Sequence, residues 1–286
     1  MLIENTLFGT RDKVKIAIDR IREFEPDEGY YVAFSGGKDS EVVLDLVKRA
    51  GVKWDGHFNL TTVDPPELIY FIRDTYKVRG KKSRYKARTK AAKLLGMKVP
   101  PIWLENIKIH RPEKTMWELI PEKRMPPTRC VRYCCKYLKE GGGVGRRVIT
   151  GVRWAESVKR SKRRMVEFCN KDESKTFLHP IIDWSESDVW EYIHMCKLPY
   201  CKLYDEGYHR IGCIMCPMAG AKQMRREAEK FPKYAKAYLH AFDKTVKKRI
   251  EDGLPTEWKT GQEMYDWWIS ERKHEKDNPD QTIIFE

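Results

Sequence analysis

The sequence predicts an α/β protein: a parallel, twisted sheet flanked by helices, followed by a helical carboxy-terminal extension. Three observations predict it. The apolar run Tyr30-Tyr31-Val32-Ala33-Phe34 reads as a buried strand, Ser35-Gly36-Gly37-Lys38-Asp39-Ser40 as a tight turn, and Val42, Val43, Leu46 and Val47 as one apolar helix face. Residues 54–63 then read as a second strand and 68–72 as a second helix. Strands that alternate with helices in this way lie parallel, joined by right-handed crossovers. From residue 221 the pattern becomes helical and aromatic, with Phe231, Tyr234, Tyr238, Phe242, Trp258, Tyr265, Trp267 and Trp268.

In chain order, residues 11–24 place Val14, Ile16, Ile18, Ile21 and Phe24 among charges, a helical pattern that ends before Pro26. Gly51 ends the next helix, and 99–104 reads as a third apolar strand. Residues 147–151 form another, after the break Gly141-Gly142-Gly143. Ser185 and Asp188 are spaced as a capping box opening a helix with Val189, Trp190 and Ile193.

The glycines of the 35–40 turn let backbone N–H groups converge without Cβ clashes. The following helix begins where its dipole favours an anion, and Lys38 adds a point charge for phosphate oxygens. The implied cargo is a nucleotide. In a parallel sheet ligands sit at the carboxyl ends of the strands, which also places Asp64 to accept from a ribose hydroxyl or to help hold Mg²⁺.

Lysine and arginine exceed aspartate and glutamate by 56 to 42 in 286 residues, a net charge of +14 that favours polyanionic partners. Residues 77–90 concentrate this charge, with Lys77, Arg79, Lys81, Lys82, Arg84, Lys86, Arg88 and Lys90, and suit a nucleic-acid phosphate backbone or a solvated basic face. No apolar run approaches the ~20 residues that span a bilayer. No basic, then apolar, amino-terminal signal is present, so a cytoplasmic location is expected.

Eight cysteines without an export signal point to metal or redox work rather than a disulfide framework. Cys213 and Cys216, two residues apart, can meet one metal, and Cys134 with Cys135 completes a four-thiolate set for a [4Fe–4S] cluster, ahead of zinc. Adjacent cysteines on one cluster are geometrically demanding. Cys130, four residues before Cys134 and on the same face of a helix, is the substitute ligand.

The six residues Ser35-Gly36-Gly37-Lys38-Asp39-Ser40 resemble the PP-loop of ATP pyrophosphatases, and their spacing is not that of a Walker A loop. Over residues 30–217 the chain resembles the phosphoadenosine phosphosulfate (PAPS) reductase family. The matching pieces are that loop, Arg132-Tyr133-Cys134-Cys135, Gly151 with Arg153, Glu156-Ser157 with Arg160, His179-Pro180-Ile181, and Gly212-Cys213 with Cys216. The cysteine arrangement is similar to that of adenosine phosphosulfate (APS) reductases, whose cysteines hold a [4Fe–4S] cluster.

The resemblance implies an adenine nucleotide α-hydrolase-like, Rossmann-like fold. With the helical, aromatic pattern from residue 221, the chain is expected to divide into a nucleotide-binding domain with the cysteine cluster, residues 1–220, and an aromatic helical extension, 221–286. The resemblance implies that Ser35, Gly36, Gly37, Lys38, Asp39, Ser40, Gly151 and Arg153 bind the nucleotide, joined by Asp64 from its expected place at a strand end. Lys38, Asp39, Arg153 and Arg160 are the catalytic candidates, with Lys136 assisting the arginines on its anionic tail.

One departure shapes the functional expectation. Sulfonucleotide reductases are similar to one another in a carboxy-terminal Glu-Cys-Gly-x-His segment, whereas residues 217–286 contain no cysteine. The first expectation is therefore an enzyme that uses Mg²⁺ and ATP to adenylate an acceptor, tRNA or DNA among them, for sulfur transfer at the iron–sulfur cluster. The alternatives are a sulfonucleotide reductase forming sulfite from PAPS or APS, and a non-catalytic nucleotide- or nucleic-acid-binding module with a structural metal. A sulfur- or electron-donor protein, a homo-oligomer and no membrane association complete the expectation.

Overall fold

In a computed structural model, residues 1–7, 9–76, 102–104, 106–169 and 172–270 are described. The basic stretch 77–90 lies outside them, as do 99–101 of the third predicted strand and residues 271–286. The chain divides into two units: Met1–Asn59, Pro66–Arg111 and Gly142–Ile211 form the first, and Leu60–Pro65, Pro112–Gly141 and Gly212–Glu286 the second.

The first unit opens with an antiparallel hairpin of β1 (Ile3–Thr6) and β2 (Gly9–Asp12). Its seven-stranded sheet consists of β3 (Tyr30–Ala33), β4 (Trp54–Asn59), β5 (Ile102–Leu104), β6 (Ile107–His110), β7 (Arg147–Ile149), β8 (Val166–Cys169) and β9 (Asp172–Leu178). The spatial order is β5-β6-β4-β3-β7-β9-β8. The pairs β3–β4, β3–β7, β4–β6 and β7–β9 are parallel, and antiparallel β5 and β8 close the two edges. The mostly parallel sheet with flanking helices is the predicted fold class.

The apolar run Tyr30-Tyr31-Val32 is buried at the sheet centre, as its composition requires. The helix Lys38–Ala50 sets Val42, Val43, Leu44, Leu46 and Val47 at 1% exposure or less, each such burial contributing about 1.5–3 kcal/mol. Gly51 ends this helix in the left-handed region, φ +73°, which a glycine adopts without a Cβ penalty. The helix Glu186–Met195 starts with the predicted capping box of Ser185 and Asp188.

The strand expected over residues 147–151 ends at Ile149, and among the other boundaries that differ two have a clear local reason. The first helix runs Lys13–Glu23, not from Arg11, because Asp12 is its N-cap: the carboxylate accepts from the Val14 and Lys15 N–H groups at 2.9 and 3.0 Å, while Arg11 pairs in β2. The second strand stops at Asn59 rather than Val63. Asp64 Oδ2 accepts from the Thr61 N–H at 2.6 Å and Thr62 takes a left-handed φ of +67°, turning residues 61–64 out of an extended path.

The second unit is helical, with Met116–Lys123, Tyr133–Leu138, Ala221–Lys230, Pro232–Glu251 and Gly261–Ile269. Its core joins Leu119, Ile120, Leu138, Ile214 and Met215 to Phe231, Tyr238, Phe242, Met264 and Trp268. The late aromatics thus build a core with residues 112–141: Trp117 meets Tyr238 edge-on with centroids 5.0 Å apart, and Trp268 Nε1 donates to the Pro127 carbonyl at 2.7 Å. No helix among the described residues is long and apolar enough to cross a membrane.

Candidate functional site

The 35–40 turn leaves the carboxyl end of β3 and enters the Lys38–Ala50 helix, so its amides sit at a helix N-terminus. Gly36 has φ +71°, and a Cβ there would lie 2.7 Å from Ile72 and 2.9 Å from Leu68; both the backbone conformation and the space demand glycine. Ser40 closes the loop from inside: its Oγ donates to the Gly37 carbonyl at 2.8 Å and accepts from the Ser35 N–H at 3.2 Å. Ser35 Oγ donates to Ser40 Oγ at 3.2 Å.

Lys38 is buried at 3% exposure. Its backbone N–H donates to the Tyr204 hydroxyl at 2.9 Å, and its ammonium donates to the His209 carbonyl at 2.7 Å, with a Glu186 carboxylate oxygen 3.5 Å away. The Tyr204 ring lies beneath the same ammonium at 5.2 Å.

Asp39 points to a second buried cation. Arg153 Nε donates to Asp39 Oδ1 at 2.7 Å, and its NH1 reaches the Trp184 carbonyl at 3.4 Å. Gly151 makes this approach possible, since a Cβ on it would lie 2.9 Å from the Asp39 backbone. Arg160 ion-pairs with Glu156, whose carboxylate also accepts from the Arg153 N–H at 3.0 Å. Ser35, Gly36, Gly37, Lys38, Asp39, Ser40, Gly151, Arg153 and Arg160 therefore all belong to the first unit.

Asp64 and Lys136 belong to the second unit. The Asp64 carboxylate is committed to the Thr61 turn, and burial pushes its pKa up against the lowering effect of that hydrogen bond.

Glu41, one turn into the helix from the loop, is a buried carboxyl that the sequence reading missed. Burial raises its pKa to about 8, the Tyr76 hydroxyl donates to Oε2, and Oε1 has no partner. Tyr204, His209 and Glu186 were missed for a different reason. Their relation to Lys38 is tertiary, and no local sequence signal marks it.

The five ligand candidates Cys130, Cys134, Cys135, Cys213 and Cys216 belong to the second unit. Cys134 and Cys135 lie on the Tyr133–Leu138 helix, and Cys213 and Cys216 on the turn that follows Gly212. Cys130 is exposed and precedes that helix, so the expected shared helix face with Cys134 does not form. Cys134 is pushed up by the hydrogen bond it gives Cys135, by burial and by the neighbouring charges of Cys135, Cys213 and Cys216. Cys135 is pushed down by the same hydrogen bond, against burial, with Arg132 NH2 3.6 Å from its sulfur. Desolvation opposes the Lys139 ammonium, yet Cys213, Cys216 and Asp64 together hold it above its usual value.

Among the described residues no group of three or more histidine, cysteine and carboxylate side chains stands in metal-binding geometry. The chemistry of the donors nevertheless fits a thiolate-ligated group. Cys134, Cys135, Cys213 and Cys216 share the second unit, and the Arg132 guanidinium, 3.6 Å from the Cys135 sulfur, is the kind of positive charge that gathered thiolates need.

Residues 29–219 match the model of the phosphoadenosine phosphosulfate reductase domain. The chain is 40% identical over 192 residues to an adenosine 5'-phosphosulfate reductase of Oceanobacillus iheyensis, covering 64% of this chain and 69% of that protein. It is 32% identical over 207 residues to an uncharacterized protein of Methanocaldococcus jannaschii, covering 70% of this chain and 44% of that protein. The chain thus spans less than half the length of that relative, and 39% of a second from the same organism. Among solved structures it is similar to the phosphoadenylyl-sulfate reductase of Candida auris in a phosphate complex, at 17% identity and a TM-score of 0.45, over 69% of this chain and 87% of that one. The match to the domain model covers about two thirds of the sequence, and the chain belongs to the phosphoadenosine phosphosulfate reductase domain family.

Proposed function

We propose that the chain is a sulfonucleotide reductase, which binds an adenine nucleotide carrying sulfate on its phosphate and releases sulfite. The observation that carries this reading is the 40% identity to a protein named adenosine 5'-phosphosulfate reductase. The geometry of the 35–40 loop supports it, because buried Lys38 and Arg153 flank Asp39 at a helix N-terminus suited to a phosphate.

On this reading the loop amides and the Lys38 ammonium take the nucleotide phosphate. Arg153, oriented by Asp39, and Arg160, oriented by Glu156, hold the sulfate end. A dithiol carrier supplies two electrons. One thiolate sulfur attacks the sulfate sulfur, the S–O bond to the phosphate breaks, and the nucleotide leaves as its phosphate. The second thiolate attacks the carrier's sulfur, sulfite leaves, and the carrier becomes a disulfide. Lys38 and the arginines stabilise the negative charge that grows on the leaving phosphate. Cys134, Cys135, Cys213 and Cys216 would hold a [4Fe–4S] cluster, which supplies a redox-active group when bound.

A second reading has its own observation. The Gly36-Gly37-Lys38-Asp39 loop at a helix N-terminus is suited to a polyphosphate, as an ATP-dependent adenylation of a tRNA or DNA acceptor with Mg²⁺ requires. Calorimetric titration separates the two readings. Tighter binding of adenosine 5'-phosphosulfate than of Mg·ATP is the expected result; tighter binding of Mg·ATP overturns the first reading in favour of the second.

A further inference from the structure

The match to the family ends at residue 219, yet the helices beyond it reach back to the Cys213–Cys216 turn. Four contacts hold residues 213–215 of this turn. The Ile214 N–H donates to the Val63 carbonyl at 2.8 Å, and the Cys213 thiol lies 3.5 Å from Thr61 Oγ1. The other two come from the late helices. Glu227 Oε2, on Ala221–Lys230, accepts from the Met215 N–H at 2.5 Å, and the Tyr238 hydroxyl, on Pro232–Glu251, donates to the Ile214 carbonyl at 3.1 Å.

The residues between the two cysteines are therefore clamped on both backbone polarities. Met215 is fully buried and has φ +56°, a left-handed conformation that a residue with a Cβ adopts only when its surroundings impose it. Its N–H has no access to water, so a fixed acceptor is required. Glu227 meets that need: it is 7% exposed, and its other oxygen is held by Gln223 Nε2 at 2.9 Å. A left-handed residue inside the Cys213–Cys216 turn reverses the chain direction between the two cysteines.

We infer that Glu227 and Tyr238 are positioning residues of the cysteine centre: they hold Met215 and Ile214 so that Cys213 and Cys216 present their sulfurs together. The carboxy-terminal helices thus carry a function beyond packing, as the outer frame of the thiol site. This role does not depend on which nucleotide the phosphate loop accepts, so its failure and that of the reductase reading are distinguishable.

The test follows each cysteine in the full chain by mass spectrometry during iodoacetamide modification, and measures zinc binding to the metal-free protein. E227A removes the acceptor, and E227Q retains one for the Met215 N–H. Cys213 and Cys216 are expected to react about fivefold faster in E227A, with zinc held about fivefold more weakly, the loss one hydrogen bond produces. E227Q is expected to match the wild type, and Cys201, fully buried in the first unit, is expected to keep its rate in both variants. Wild-type rates at Cys213 and Cys216 in E227A overturn the inference. So does an E227Q protein as reactive as E227A, or an equal acceleration of Cys201, which signals general loosening. If E227A does not fold, Y238F carries the test: faster modification confined to Cys213 and Cys216 supports the inference, and unchanged modification overturns it.

Discussion

Arg153 reaches across 114 positions of sequence to place its Nε 2.7 Å from Asp39 Oδ1, at the start of the helix that the phosphate loop enters. The arginine side chain is 4% exposed and the aspartate 23%. The loop is thus tied at its helix end to the segment that also carries Glu156 and Arg160.

Removing one partner of this pair leaves the other charge under-compensated. Breaking a fully buried pair costs about 3–5 kcal/mol, and the partial exposure of Asp39 reduces the expected loss in Arg153→Ala to about 2 kcal/mol. Urea unfolding measures it. Unchanged stability would show that the pair contributes nothing to the fold, and the double variant with Asp39→Asn should be less than additive.

Gly151→Ala places a methyl group 2.9 Å from the Asp39 backbone. Neither strand nor helix end can yield cheaply, so a loss of about 1–3 kcal/mol is expected, with weaker nucleotide binding as the loop shifts. Thermal melting and nucleotide titration of one sample measure both effects; full affinity in a folded G151A protein would contradict the close packing.

Glu41 makes stability fall with rising pH. Its folded pKa, about 8, lies above the ordinary carboxyl value of 4.5, chiefly through burial. Below pH 4.5 both folded and unfolded states are protonated and the full contribution is present. Between pH 4.5 and 8 the unfolded state alone ionises, so stability declines by up to about 1.4 kcal/mol per pH unit. Glu41→Gln should flatten this slope in denaturant melts at pH 5, 6, 7 and 8, and an identical slope in the variant would refute the assignment.

Replacing Cys213 and Cys216 with serine tests the thiol centre. Anaerobically purified wild-type protein should contain iron and acid-labile sulfide, and the double variant should lose both while keeping its helical circular dichroism. A wild-type protein with zinc and no iron would replace the cluster with a structural zinc site.

The first unit was largely legible because its signals are local. A run such as Tyr30-Tyr31-Val32, closed by the Ser35-Gly36-Gly37 turn, reads as a buried strand, and that turn before Val42 and Val43 announces its helix within a dozen residues. What escaped depends on distant partners. Nothing near Lys38 in sequence indicates that Tyr204 and His209 will occupy its amide and ammonium. The cysteine spacing was legible, but the expected pairing of Cys130 with Cys134 assumed a helix that begins only at Tyr133. The joining of residues 112–141 to the late aromatic helices rests on side-chain packing, Trp117 on Tyr238 and Trp268 on Pro127, which periodicity within one helix does not encode.

The reductase reading is tested most directly by anaerobic incubation of the protein with adenosine 5'-phosphosulfate and a dithiol, with sulfite and AMP quantified. The reading predicts sulfite and AMP in equal amounts from the wild type, and at least a tenfold lower rate from Lys38→Ala, the scale of one charge-assisted phosphate contact. Absence of sulfite, with pyrophosphate and AMP released from Mg·ATP when a nucleic-acid acceptor is added, would contradict it.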